Sequence, residues 1–146
     1  MAVALSQIVT EDRASGAQVI DGSLDFDGES QNSYLKKTFA SAGTEETWTV
    51  SVWFKIDDTS NQNHIFSSGA NSGNRAQVSV ESDGTLNCEF QASSVVQAQK
   101  ITTRRLRDPG GWYHLVVAVN TNDGTAEDRM KIYINGVRET SFSTNT

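Results

Sequence analysis

Thr47-Trp48-Thr49-Val50-Ser51-Val52-Trp53-Phe54-Lys55-Ile56 decides the fold class of this chain. Trp48, Val50, Val52, Phe54 and Ile56 fall on one side of an extended backbone, with Thr49, Ser51, Trp53 and Lys55 on the other. Side chains alternate faces along a strand, so this period of two builds one wholly apolar face and one polar face broken only by Trp53. A helix would scatter the same apolar residues around its circumference.

The pattern recurs outward from this stretch. Ala76, Val78 and Val80 alternate with Gln77, Ser79 and Glu81, and Leu86, Cys88 and Phe90 alternate with Asn87 and Glu89. Ser82-Asp83-Gly84 between the two rows tolerates positive φ, so they read as a hairpin. Trp112 to Val119 is apolar on both faces apart from His114, which predicts a central strand covered on both sides. Met130, Ile132 and Ile134 alternate with Lys131 and Tyr133. Asn135-Gly136 follows and then Val137 to Phe142, a strong hairpin signal. No stretch of useful length shows apolar residues at helical spacing. Strands every eight to twelve residues or so predict an all-β, antiparallel sandwich or jelly roll.

With 146 residues the chain suits one domain, large enough to bury a core without disulfide or metal staples. Its hydrophobic fraction is 36%, and Ser, Thr, Asn, Gln and Gly take up the difference, as in a sheet with one wet face. The net charge of −6 gives no general attraction to nucleic acid. Lys100, Arg104, Arg105 and Arg107 form the one cationic stretch, read here as a solvated strand face, with a polyanion patch as the alternative. Cys88 is the only cysteine and lies in an apolar row, so it reads as a buried thiol with no disulfide. No membrane span and no signal peptide are found, and the expectation is synthesis in a reducing cytoplasm without a secretory step.

Four segments carry a resemblance. Gly22 to Gly28 (GSLDFDG) resembles the opening strand of laminin G-like and pentraxin-like domains, and Trp48 to Lys55 the family's T-x-S-x-W-x-K/R strand. Arg107 to Val117 resembles its W-h-H-h-x-h strand, and Lys131 to Val137 its h-Y-h-N-G hairpin. In this order they are similar to a concanavalin A-like (laminin G-like) jelly roll. Residues 1–20 then read as an N-terminal arm or edge segment and 21–146 as the sandwich. Such domains usually continue well beyond the Asn-Gly hairpin, so the resemblance implies a sandwich incomplete at its C-terminus, or a shorter variant.

A narrower likeness joins Ser6 to Ala17, and the run from Asp108-Pro109 to Gly124-Thr125-Ala126, to laminin G-like proteins of marine tailed phages. It implies a virion structural module, in a tail fibre, tail or capsid surface, serving assembly or host-surface attachment. Its partners would be other virion subunits in a homo-oligomer and a host-surface glycan. The alternative is a stand-alone carbohydrate-binding, lectin-like domain.

Catalytic chemistry is not expected. His64 and His114 are the only histidines, and neither is spaced with a nucleophile or a metal ligand. Asp25, Asp27 and Glu29 alternate like glycosidase carboxylates, but Gly28 interrupts them and they read as solvent-facing or turn residues. No cofactor is assigned. Calcium is the alternative, because the loop from Asn120 to Asp128 is rich in oxygen ligands, although its spacing is not that of an EF-hand. For sugar binding, Trp53 is the aromatic candidate and Asn61, Gln62, Asn63, Asn71 and Asn74 are the loop amides. The sequence does not choose among them.

Overall fold

The structure is a computed structural model that describes residues 22, 26, 34–41, 43–56 and 60–146. The chain divides into two units, 1–41 and 42–146. The described part of the first contains no helix or strand. The expected opening strand at Gly22 to Gly28, apart from residues 22 and 26, lies outside the described residues, as does the leader from Ser6 to Ala17.

The second unit is built from strands. β1 (Thr47–Phe54), β6 (Tyr113–Asn120), β7 (Met130–Ile134) and β8 (Val137–Arg138) form a four-stranded sheet in the order β1-β6-β7-β8. β2 (Asn63–Asn71), β3 (Asn74–Val80), β4 (Thr85–Ala92), β5 (Val95–Arg105) and β9 (Phe142–Asn145) form a five-stranded sheet in that order, and every pairing is antiparallel. The core lies between them. Ile56, Leu115, Val117, Val119, Met130, Ile132 and Ile134 meet Val78, Val80, Leu86 and Cys88, with Trp48 packed on Phe66 and Phe90. Each large aliphatic side chain buried this way contributes about 1.5–3 kcal/mol relative to exposure.

Both hairpins form as the sequence predicts. Val78 faces Cys88 and Val80 faces Leu86 across the first, whose turn closes with Gly84 N–H donating to the Glu81 carbonyl at 2.8 Å. In the second, Asn135 and Gly136 take φ of 51° and 79°. This pair of positive values is the type I′ geometry that suits the twist of the flanking strands.

Three expectations need correction. β6 is central in its sheet, but only Leu115, Val117 and Val119 are buried, while His114, Val116 and Ala118 are half-buried. The polar row of β1 and the Lys131/Tyr133 row of β7 flank that second face, so it stays partly wet. Val137 to Phe142 is not one strand. Pairing continues through Glu139 N–H to the Ile132 carbonyl (2.8 Å), and the chain then crosses to the other sheet, where Ser141 and Phe142 meet Thr103 and Thr102. The cationic stretch is a solvated face only in part: Arg104, Arg105 and Arg107 are exposed, but Lys100 is not. Lys100 is only 5% exposed, and its Nζ donates to the carbonyls of Glu127 and Met130, each at 2.8 Å. Its neighbours disperse, Arg104 pairing with buried Glu139 (2.6 Å) and Arg105 with Asp83 (3.2 Å).

Candidate aromatic binding cleft

The outer face of the four-stranded sheet carries the site. The alternation of β1 turns Trp53 outward, and the β1–β6 register sets it opposite His114. The two rings stack with centroids 4.8 Å apart and 23° between planes. His114 Nε2 lies 3.0 Å from Ser51 Oγ, which fixes the ring from the other side. The His114 backbone N–H donates to Asn135 Oδ1 and its carbonyl accepts from the Asn135 N–H, both at 2.8 Å, so the tight turn is clamped to β6.

Trp112 stands just before β6. The loop ahead of it is held by the Asp108 N–H donating to the Tyr113 hydroxyl (3.0 Å) and the Gly110 N–H donating to Asp108 Oδ1 (2.9 Å). Trp53 and Trp112 are 57% and 48% exposed, a large apolar area to leave in water. Together with His114, Asn135 and Gly136 they line an open cleft of about 510 Å³. Lys55, next along from β1, sets its Nζ 5.9 Å from the Trp112 ring centroid. Flat indole faces beside N–H donors suit a ligand with both apolar C–H faces and oxygen acceptors.

The other candidates lie elsewhere or are engaged. His64 is exposed on β2 in the other sheet. Gln62 donates to Ser79 Oγ (3.2 Å) and Glu81 Oε1 (2.8 Å), and Asn63 Nδ2 donates to the Asn61 carbonyl (3.1 Å). Asn71 Oδ1 accepts from the Gly73 N–H and Asn74 Nδ2, while Asn74 Oδ1 accepts from the Ser93 N–H at 2.9 Å. These amides are committed to shaping loops. Among the sequence candidates for sugar binding, the structure therefore brings only Trp53 into the cleft. Trp112 and Asn135 were visible in sequence only as strand and turn signals. What would have singled them out is their closeness to Trp53, set for Trp112 by the β1–β6 register and for Asn135 by the β6–β7 register.

The loop from Asn120 to Asp128 does not fit a calcium site. Asn120 Oδ1 accepts from the Asn122 N–H (3.1 Å), and Asn122 Nδ2 donates to Glu46 Oε2 (2.8 Å). Asp123 accepts from the Thr125 N–H (3.0 Å) and faces Lys131 (3.5 Å), while Asp128 is bonded to Arg138. That bond holds the Asp128 carboxyl below its ordinary pKa. Cations of the chain already answer these carboxylates. Among the described residues no three His, Cys, Asp or Glu side chains come together to hold a metal. Cys88 is fully buried, and burial pushes its thiol up to about 12, far from a reactive thiolate. Asp25, Asp27 and Glu29 lie outside the described residues. Among the described residues no helix is long and apolar enough to cross a membrane.

The Laminin G-3 family model, described as the concanavalin A-like lectin/glucanases superfamily, matches residues 27–146. The chain belongs to this superfamily. The match agrees with the two antiparallel sheets and with the laminin G-like motifs from Trp48 onward. Among solved structures, the native heptameric SAP-like pentraxin from Limulus polyphemus is 28% identical with a TM-score of 0.44, over 65% of this chain and 42% of that one. The chain thus spans less than half the length of that pentraxin. No curated protein matches this chain.

Proposed function

We propose that this laminin G-like chain is a carbohydrate-binding module whose ligand rests in the cleft between Trp53 and Trp112. The observation that carries the reading is the pair of exposed indoles, stiffened by the Trp53–His114 stack and the Asn135 clamp. A pyranose presents one face of C–H groups and a rim of hydroxyls. The first matches an indole plane and the second matches neighbouring N–H groups. Rigid aromatics lose little entropy on binding, which favours such a platform.

The reading is of binding and not of hydrolysis. Cleaving a glycosidic bond uses two carboxyl groups set across it. The cleft is lined by indoles, an imidazole, an amide and a glycine. The test is isothermal titration against a panel of soluble oligosaccharides, with Trp53→Ala alongside. Saturable binding that Trp53→Ala removes supports the module. Steady release of reducing ends, lost in Asp25→Asn or Asp27→Asn, would overturn the non-enzymatic part.

A second reading concerns setting. The likeness of Ser6 to Ala17 to phage leaders favours a virion component that assembles as a homo-oligomer and presents the cleft to a host-surface glycan. Mass spectrometry of purified particles and light scattering of the isolated chain test it. A chain absent from particles and monomeric in solution would leave the lectin-like module alone.

A further inference from the structure

We infer that Asn135 is a self-modification site. Its side chain cyclises onto the Gly136 nitrogen to give aspartate or isoaspartate, and the clamp to His114 holds that reaction back while the chain is folded. The inference is independent of the ligand proposed for the cleft.

Asn135-Gly136 is the one Asn-Gly pair in the sequence. The reaction needs the Gly136 backbone nitrogen, stripped of its proton by hydroxide, to attack Asn135 Cγ. A new C–N bond closes a succinimide ring, the Cγ–Nδ2 bond breaks, and ammonia leaves with its third hydrogen drawn from water. Water then opens either C–N bond of the ring, giving aspartate or, with the main chain rerouted through the side chain, isoaspartate. Water and hydroxide are the only co-reactants. Glycine is the following residue that least obstructs the attack, because it has no Cβ. Both residues are exposed, so solvent reaches the turn.

The folded geometry opposes this chemistry. Asn135 Oδ1 accepts from the His114 N–H, and the Asn135 N–H donates to the His114 carbonyl, both at 2.8 Å. These two bonds tie the side chain and the backbone of Asn135 to β6. Cyclisation requires the side chain to leave that strand and turn to the nitrogen of the next residue. The His114 N–H also draws electrons from the amide carbonyl, which by itself favours attack. That polarisation does nothing until the nitrogen is within reach, so positioning decides. Conversion therefore passes through an opened turn. Each bond is worth about two- to tenfold in such an opening, and the pair about tenfold or more. The isoaspartate branch is one-way for the cleft. It inserts a methylene into the main chain, which a turn with φ of 51° and 79° at its two central residues does not accommodate.

The experiment incubates the full chain at mildly alkaline pH, folded and in denaturing urea, with Gly136→Ala alongside. Trypsin cleaves after Lys131 and Arg138, so peptide 132–138 carries Asn135 as its only asparagine. Mass spectrometry after chromatography separates asparagine, aspartate and isoaspartate in that peptide, and amide exchange at His114 reports the clamp. In denaturing urea Asn135 should convert ahead of every other asparagine. Gly136→Ala should slow it there, because the added methyl crowds the attacking nitrogen. In the folded chain conversion should run about tenfold or more slower. It should rise in step with His114 exchange as sub-denaturing urea loosens the turn. Equal rates in the folded and unfolded chain would overturn the protective clamp. Another asparagine converting first in denaturing urea, or a folded rate indifferent to His114 exchange, would overturn the assignment.

Discussion

At the scale of single residues, the interior of the sandwich holds two titratable groups side by side. Cys88 faces Lys100 across β4 and β5. An unfolded thiol ionises near 9.0, whereas burial keeps that of Cys88 protonated to about 12. Between these values the folded chain keeps a proton that the unfolded chain has released, so raising pH favours unfolding. Stability of the native chain relative to Cys88→Ala should therefore fall above pH 9, by about 1.4 kcal/mol per pH unit once the slope is developed. Urea titrations of both proteins at several pH values between 8 and 11 would measure it. A difference that stays flat with pH would mean that the thiol ionises freely in the fold. Lys100 works in the opposite sense. Burial, the largest influence on it, lowers its pKa below 10.5, so its own contribution improves as pH climbs towards that value. Comparing two proteins that both keep Lys100 largely removes this opposing trend. Sequence reasoning placed Cys88 inside by its apolar row. It put Lys100 in solvent because a lysine normally belongs there, and the two carbonyls that receive its ammonium come from the distant segment 127–130.

Among the elements, turns separate what could be read from what could not. Asn135-Gly136 announces its hairpin because few residues accept positive φ. Gly136→Ala should cost about 1–2 kcal/mol, the ordinary penalty of an L side chain in the left-handed region. Nothing within 4 Å would meet the new methyl, so the loss isolates backbone strain. Chemical denaturation measures it, and an unchanged midpoint would contradict the turn geometry. The β4–β5 hairpin turns through Ser93 and Ser94, also at positive φ (52° and 62°). Serine gives no such signal. The conformation is held from outside, by the Ser93 N–H on Asn74 Oδ1 and the Ser94 N–H on the Gly73 carbonyl. The start of β5 was therefore hidden in the sequence. The cleft was half visible for a related reason. The alternation of β1 picked out Trp53, but Trp112 and Asn135 join it only through strand register, which no local pattern encodes.

For the sandwich as a whole, the route from β8 to β9 ties one sheet to the other. Phe142 packs against the core from the far side of that crossing, with Lys100 Nζ 4.9 Å from its ring centroid. Phe142→Ala should cost about 3 kcal/mol, at the low end for a large aromatic because the ring is only half-buried. Hydrogen exchange should then show protection lost first along β5 and β9. Uniform loss across both sheets would mean that β9 is not a separate clasp. The β1–β6 ladder has a consequence of another kind, in time. Ser51 and His114, which touch across it, stand 63 residues apart in the chain. Hairpins β3–β4 and β6–β7 can close locally within microseconds. β1 must wait for β2 to β5 to be drawn in before it meets β6, and chains dominated by such distant pairings fold in milliseconds to seconds. Until that meeting, Trp53 has no His114 to stack on, so the rise of its stacked-ring signal would clock the last closure of the sandwich.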